Sequence, residues 1–146
     1  MYKRQALPED GYLLACEVDD YVAEFARNCF AVSPHGNKIK TEVAPALETL
    51  HKLGEAKESF DLIFIDADKK EYVDYFNYIL DKGLLNPKGF ILVDNTLLQG
   101  QPYLPKEERN ANGEGVARFN SFVAEDPRVE QVILPLRDGL TIIRRK

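Results

Sequence analysis

Oppositely charged side chains follow an apolar run in the stretch FDLIFIDADKKEY, which spans Phe60 to Tyr72. The apolar part, residues 60–65, has the length and composition of a buried strand, and Asp66, Asp68 and Lys69 come after it. In open α/β sheets, ligands bind beyond the carboxyl ends of the strands. The position of these charges therefore makes them candidates for binding or catalysis.

A second apolar run, residues 90–93 of the stretch GFILVDN, ends in Asp94 and Asn95. One helical segment separates the two runs, and such a right-handed crossover usually makes consecutive strands near neighbours. We therefore expect Asp66 and Asp94 to face one crevice, with Asn95 beside them. Carboxylate and amide oxygens suit Mg²⁺ or Ca²⁺. Either aspartate alone would be read as a helix cap or a solvated loop acid, but the matched pair favours a metal site.

Lys69 and Glu17 are further candidates. Lys69 lies in the first turn of the next predicted helix, where a cation opposes the helix dipole, so local stability does not explain it. Beside a metal its pKa could fall enough for it to act as a base. Lys70 has no such positional argument and is expected on the surface. Glu17 ends an early strand, where an acid often accepts the ribose hydroxyls of a nucleotide-type cofactor.

Short apolar runs alternate with amphipathic segments along the chain, which predicts an α/β fold. Strands are predicted at 12–17, 39–43, 60–65, 90–93, 131–136 and 140–143. Helices are predicted after Asp19 or Asp20, from Pro45, at 72–80 and at 116–124, with a polar loop at 99–115. Arg137-Asp138-Gly139 indicates a terminal hairpin. Because the strands are apolar throughout, we expect a doubly wound parallel sheet covered on both faces, with this hairpin at one edge.

Composition limits the class of protein. The 146 residues suffice for one domain with a real core, and 45% apolar with 29% charged residues is typical of a soluble globular protein. A net charge of -5 disfavours nucleic acid or an anionic membrane as the main partner. No apolar run reaches membrane-spanning length, and the start has no secretory pattern. Cys16 and Cys29 lie in apolar stretches, so we expect buried, unpaired thiols and a cytoplasmic location.

Five motifs, taken together and in order, carry a family resemblance: ACEVDD, VAPALETL, FDLIFIDADKKEY, GFILVDN and LPLRDGLTIIRRK. The set resembles the cation-dependent class I O-methyltransferases, that is, the caffeoyl-CoA and catechol O-methyltransferase-like enzymes. It covers the chain from about Ala6 to the end. The resemblance implies a Rossmann-like, doubly wound, mostly parallel sheet with a C-terminal antiparallel hairpin. It also implies transfer of a methyl group from S-adenosylmethionine (SAM) to one hydroxyl of a vicinal diphenol.

The resemblance also assigns roles to matching positions. The metal ligands, for Mg²⁺ by preference, correspond to Asp66, Asp94 and Asn95. The cofactor-binding positions correspond to Glu17, Ala46, Asp66 and Asp68. Glu17 would bind the ribose hydroxyls, and Asp68 would contact the methionine portion. Lys69 matches the general base. The implied partners are a small phenolic acceptor and, for the full-length parent, a second copy of the protein, with no role for nucleic acid or membrane.

The chain departs from the family pattern at its start. The family's first strand and Gly-rich turn should precede Ala6, and residues 1–5 (MYKRQ) do not resemble them. We therefore divide the chain into non-family residues 1–5 and a partial methyltransferase domain at 6–146. The family also has glycine where Ala44 stands and a small residue where Arg137 stands. In this fold the first strand is central, so its loss would split the sheet and expose unpaired backbone groups. We expect a fragment that is inactive or weakly active alone.

Other functions remain open at this level. A phospho-acceptor receiver domain also has an acidic pair and an aspartate at the end of a strand like DLIFID. It further needs a lysine, usually followed by proline, after its last strand, and Pro135 here follows Leu134 instead. A nicotinamide-binding Rossmann fragment lacks the required G-x-G-x-x-G. A non-catalytic remnant would not be expected to keep the whole set of acids, amide and lysine.

We predict that the isolated chain binds SAM poorly or not at all, because these residues do not include the family's glycine-rich turn, which lets the backbone approach the cofactor. Isothermal titration of the purified chain with SAM measures this directly. A dissociation constant in the low-micromolar range, corresponding to roughly -7 to -8 kcal/mol, would contradict the prediction.

Overall fold

The computed structural model describes residues 6–146, so the expectation for residues 1–5 lies outside the described part of the chain. Its internal contacts form two compact units, one that ends at Lys52 and one from Leu53 to Lys146. Each unit is described by itself. Within the described residues, no helix combines the length and apolar character that crossing a membrane requires.

The first unit pairs two parallel strands. Its elements are β1 (Leu13–Glu17), α1 (Asp20–Ala31), β2 (Ile39–Val43) and the start of α2 (Ala46–Glu55), which continues into the second unit. The β1–β2 register runs from Leu13 opposite Ile39 to Glu17 opposite Val43. Asp19, rather than Asp20, caps α1, since its Oδ1 accepts a hydrogen bond from the Val22 amide at 3.0 Å.

The second unit contains a four-stranded sheet in the order β3-β4-β6-β5. Its elements are β3 (Phe60–Ile65), α3 (Tyr72–Asp81), β4 (Leu85–Asp94), α4 (Ala111–Glu125), β5 (Val129–Leu134) and β6 (Leu140–Arg145). β3 and β4 pair in parallel, whereas β6 runs antiparallel to both β4 and β5. The expected α/β fold with parallel pairs and a terminal antiparallel hairpin is confirmed.

Two elements begin earlier than the sequence pattern predicts. α4 starts at Ala111, not at residue 116, and Asn110 caps it by accepting from the Gly113 amide at 2.8 Å. Two glycines in the first turns lower the helix propensity there, so the sequence pattern does not indicate where the helix begins. The predicted loop before it also contains short 3₁₀ turns at Leu98–Tyr103 and Lys106–Glu108. β4 begins at Leu85 and not at the predicted residue 90, because an irregularity in the β3–β4 pairing accommodates residues 86–89.

One face of the four-stranded sheet forms the core with α3 and α4. The strand residues Ile65, Ile91, Val93 and Ile143 are buried. On the helices, Phe119 meets both Tyr72 and Phe76 edge-to-face, with ring centroids 5.5 and 6.2 Å apart. The alternate residues lie on the other face, where Leu62 is 57% exposed. The core of this unit therefore lies on the face of the sheet that carries these buried strand residues.

The two thiols differ from expectation in one respect. Cys16 and Cys29 are unpaired, as expected, but both are exposed. In β1 the burial pattern leaves Cys16 as the exposed position among half-buried neighbours. An apolar run in the sequence does not specify which of its residues face outward, and this is why burial was predicted wrongly.

Arg128 connects the ends of α3 and α4. Its guanidinium donates to Asp81 Oδ1 at 2.6 Å, to Asn77 Oδ1 at 2.9 Å and to Asp126 Oδ2 at 2.6 Å. The Asp126 side chain is only 5% exposed. Hydrogen bonds from Arg128 outweigh burial and hold the pKa of Asp126 below its ordinary value. A carboxyl group with a lowered pKa stabilises the fold above its unfolded-state pKa, and this stabilisation is lost as the pH falls through the folded-state value.

We predict that Asp126→Asn lowers the free energy of unfolding by about 1–2 kcal/mol at pH 7, because a nearly buried charged hydrogen bond is weakened. The variant should also lose less stability than the wild type when the pH falls below roughly 4. Urea denaturation at pH 7 and at pH 3 measures both effects. Asp74→Asn, at an exposed residue of α3, is the matched control. Parallel stability curves for wild type and Asp126→Asn would contradict the prediction.

Candidate active site

The register of β3 and β4 brings the two candidate metal ligands to one end of the sheet. Ile65 pairs with Val93, so Asp66, the first residue after β3, lies next to Asp94, the last residue of β4. The Asp66 side chain is 47% exposed. Asp94 and Asn95 are half-buried. This end of the β3–β4 pair therefore carries the two carboxylates and the amide at neighbouring backbone positions.

The backbone turns sharply after Asp94. Its Oδ1 accepts from the Asn95 amide at 2.7 Å, and Asn95 has a φ of 58°. This left-handed conformation is tolerated by asparagine better than by most residues. The next residue, Thr96, is fully buried, and its Oγ1 accepts from the Thr141 hydroxyl at 2.9 Å. The backbone therefore leaves the strand direction at Asn95, between two residues that are held by hydrogen bonds, Asp94 and Thr96.

The donor chemistry of this cluster fits a hard divalent cation. No group of three or more His, Cys, Asp or Glu side chains suited to a metal occurs among residues 6–146. A metal here would therefore depend on the Asn95 amide as well as on Asp66 and Asp94. Two carboxylates and an amide oxygen are suitable ligands for Mg²⁺, which usually keeps part of its coordination for water or substrate. The residues present fit such an ion.

Lys69 contacts Asp66 directly. It lies in a 3₁₀ turn, Lys69–Glu71, that precedes α3, and its Nζ donates to Asp66 Oδ1 at 3.0 Å. The Lys69 side chain is 13% exposed. Burial opposes its charge, but hydrogen bonding with Tyr72 and Asp66 outweighs burial and raises the pKa of Lys69. The ion pair is a local reason for a lysine here, so the expectation that local stability does not explain it was wrong.

Tyr72 connects Lys69 to Asp94, a role that the sequence pattern does not indicate. Its ring is fully buried, with Lys69 Nζ 5.1 Å from the ring centroid. Its hydroxyl donates to the Asp94 backbone carbonyl at 3.2 Å. Burial, only partly offset by the hydrogen bond with Lys69, raises the pKa of Tyr72, so the hydroxyl stays protonated. In the sequence, the feature that could have identified Tyr72 as part of the site is its position three residues after Lys69, the candidate base.

Asp68 and Lys70 form a pair of their own. Asp68 caps the 3₁₀ turn, since its Oδ1 accepts from the Lys70 amide at 3.0 Å, and Lys70 Nζ lies 3.1 Å from its Oδ2. The backbone hydrogen bond from Lys70 lowers the pKa of Asp68. Lys70 is exposed, as predicted, but it pairs with Asp68. The contact of Asp68 with the cofactor stays a prediction. In the structure, Asp68 caps the 3₁₀ turn.

The remaining cofactor candidates lie in the first unit. Glu17 ends β1, and its Oε1 accepts from the Val18 and Asp19 amides at 2.8 and 3.0 Å. These bonds fix the carboxylate at the strand end, as a ribose acceptor requires. Ala46 is the first residue of α2. The structure brings Asp66, Lys69, Asp94 and Asn95 together, whereas Glu17 and Ala46 belong to the other compact unit.

Gly115 sets the distance between α4 and the turn that carries Lys69. A Cβ atom at this position would lie 2.6 Å from the Lys69 carbonyl oxygen and 3.0 Å from Lys70 Cα. Real Cβ atoms do not approach backbone so closely. The glycine therefore lets the helix pack directly against this turn, and Phe119, one turn further along α4, contacts Tyr72.

With this geometry established, comparison with known proteins defines the class. The sequence matches the model of the O-methyltransferase family over residues 1–146, so the chain belongs to that family. Among its relatives, caffeoyl-CoA O-methyltransferase 2 of Zea mays is 38% identical over 148 residues, which cover 96% of this chain and 55% of the maize protein. The chain thus spans little more than half the length of that relative.

Solved structures support the fold. The Podospora anserina methyltransferase PaMTH1, bound to SAH, is 32% identical with a TM-score of 0.80, over 92% of this chain and 61% of that one. The O-methyltransferase TomG of Streptomyces achromogenes, in complex with SAM, is 29% identical with a TM-score of 0.87, over 98% of this chain and 66% of TomG. The family resemblance is confirmed, and the receiver-domain alternative gains no support.

We predict that Gly115→Ala destabilises the protein by about 1–3 kcal/mol, although alanine ordinarily stabilises a helix by up to about 1 kcal/mol relative to glycine. The added methyl group would push against the backbone of Lys69. Urea denaturation measures the sign. Asn112→Ala, at an exposed position of the same helix, should be neutral or stabilising. If Gly115→Ala stabilised the protein as much as Asn112→Ala does, the close approach would not constrain the helix.

Proposed function

We propose that this chain is part of a SAM-dependent, divalent-cation-dependent O-methyltransferase that methylates one hydroxyl of a vicinal diphenol. The observation that carries the proposal is the arrangement at the ends of β3 and β4. Asp66 and Asp94 lie at neighbouring strand positions, Asn95 follows in a turned-out conformation, and Lys69 is bonded to Asp66. This is an acid, amide and amine set suited to bind a cation and move a proton.

The methyl donor is supported by two lines of observation. TomG is in complex with SAM and PaMTH1 is bound to SAH, and the fold of this chain matches both. In the chain itself, the Glu17 carboxylate is fixed at the end of β1 by two backbone amides, so it is suited to accept hydrogen bonds from ribose hydroxyls.

The cation is supported by the donor set alone. When bound, a divalent ion would bind the acceptor oxygens and lower the pKa of the hydroxyl to be methylated. Asp66, Asp94 and Asn95 are the residues that would hold it. Their side chains differ in exposure, with Asp66 the most open of the set and therefore the most accessible to an incoming ligand.

Lys69 is proposed to accept the hydroxyl proton at Nζ. Its neighbours alone favour the charged form, since hydrogen bonds with Tyr72 and Asp66 raise its pKa despite burial. A cation bound to the Asp66 carboxylate would compete with Lys69 for its negative charge. Sharing that carboxylate with a cation would weaken its hold on Lys69 and lower the lysine pKa towards the range of a useful base.

The proposed acceptor class is supported by the same arrangement and by similarity to a caffeoyl-CoA O-methyltransferase. Two adjacent oxygens on an aromatic ring can both reach a cation held at the strand ends. The segment after Asn95 lies next to that position and is proposed to form part of the acceptor pocket. A simple catechol and a phenylpropanoid thioester both satisfy this requirement.

We predict that Asp94→Ala lowers methyl transfer to a catechol acceptor on the order of 100-fold or more, because a ligand of the cation is lost. The assay uses the protein with any upstream coding sequence included, with SAM and Mg²⁺, before and after treatment with a chelator. Binding of Mn²⁺, followed by electron paramagnetic resonance, should weaken in the same variant.

Asp74→Ala, which removes an exposed aspartate from α3, is the matched control and should change neither readout. Full activity in excess chelator, or unchanged Mn²⁺ binding by Asp94→Ala, would refute the cation-dependent mechanism at this site.

A further inference from the structure

The turn of the terminal hairpin forms hydrogen bonds with residues 97–99, which follow the candidate metal ligands. In the turn between β5 and β6, the Asp138 backbone carbonyl accepts from the Leu97 amide at 2.9 Å and from the Leu98 amide at 3.3 Å. The Asp138 side-chain Oδ1 accepts from the Gln99 amide at 2.6 Å. One residue thus binds three consecutive amides of a segment 39 positions away in the sequence.

This segment needs such support because its backbone is unfavourable. Leu98 and Gln99 have φ values of 38° and 52°, and Gly100 has 83°. Left-handed conformations cost non-glycine residues roughly 1–2 kcal/mol each. Two such residues in succession persist only when surrounding contacts determine them. The contacts present are the three Asp138 hydrogen bonds and one within the segment, from the Gly100 amide to the Leu97 carbonyl at 2.8 Å.

Gly139 makes the close approach possible. Its φ is 89°, and a Cβ atom there would lie 2.6 Å from both the Leu97 amide nitrogen and Leu97 Cγ. Any larger residue would drive the turn away from the segment and separate the Asp138 carbonyl from its donors. Arg137 in the same turn also has a positive φ, 52°, and is exposed.

The other end of the segment is fastened separately. Gln101 Oε1 accepts from the Asn110 amide at 3.0 Å, which ties the segment to the start of α4. On the side of Asn95, Thr96 is held by the Gly139 carbonyl at 3.2 Å and by the Thr141 hydroxyl. Residues 97–100 lie between these fixed points, and three of their amides donate to Asp138.

We propose that Asp138 is a positioning residue that orders residues 97–100 beside the metal ligands and thereby shapes the acceptor side of the site. The acceptor role rests on the proposed function, whereas the ordering of the segment does not. Asp138 acts through the three amides and not by touching the reacting atoms. Its carboxylate is the better acceptor for the Gln99 amide, because a charged acceptor makes a stronger hydrogen bond than a neutral one.

Amide hydrogen exchange of the chain tests the ordering directly. Asp138→Ala removes the side-chain acceptor and keeps the backbone carbonyl, so exchange of the Gln99 amide should speed up roughly tenfold, with smaller changes at Leu97 and Leu98. The amides of β4 and β6 should change far less. Asp138→Asn keeps an acceptor oxygen and should fall between the wild type and Asp138→Ala. Exchange of the Gln99 amide that is already fast in the wild type, or unchanged in Asp138→Ala, would overturn the proposal. Measuring strand amides in the same experiment separates local loosening from general unfolding.

Steady-state kinetics of the protein with any upstream coding sequence test the acceptor role. Asp138→Ala should raise the acceptor KM roughly fivefold to tenfold, with a much smaller change in the SAM KM, and Asp138→Asn should restore most of the loss. Equal changes in both KM values would overturn the acceptor-side assignment. If Asp94→Ala left activity intact while Asp138→Ala still loosened the segment, the ordering role would stand and the proposed function would fail.

Discussion

The pairing of β3 with β4 is the constraint on which the candidate site depends. Ile65 and Val93 are opposite each other and buried, so a slip of one residue would expose both. The same register places Asp66 beside Asp94 one step further along. Apolar packing therefore brings together two carboxylates that would repel each other if left alone. The irregularity between Phe60 and Leu62 lies at the opposite end of the pair and leaves this register undisturbed.

The candidate base depends on the core in a similar way. Tyr72 packs edge-to-face against Phe119 and also donates to the Asp94 carbonyl, so one side chain belongs to the core and to the site. Gly115 allows α4 to approach the Lys69 turn, and the ion pair with Asp66 fixes the lysine head group. Loss of packing around α4 would therefore disturb the turn that carries Lys69.

The sequence predicted the parts of this arrangement that are local. An apolar run ending abruptly in acids identified Asp66 and Asp94, and crossover topology predicted that they would be neighbours. It failed where a long-range contact overrides a local preference. Gly113 and Gly115 conceal the start of α4 because their low helix propensity is offset by close packing and by the Asn110 cap. The partner of Lys69 and the face on which Cys16 lies depend on backbone geometry that periodicity does not encode.

The same limit applies to Asp138, whose sequence neighbourhood indicates only a hairpin turn. Its three hydrogen bonds reach a segment that no local pattern connects to it. Thr96 and Thr141 are joined by a separate, buried hydrogen bond next to Asn95. The backbone beside Asn95 and residues 97–100 are thus held by different contacts. Under the proposed function, loosening residues 97–100 would change the shape of an acceptor pocket while the Thr96 contacts still hold the backbone beside Asn95.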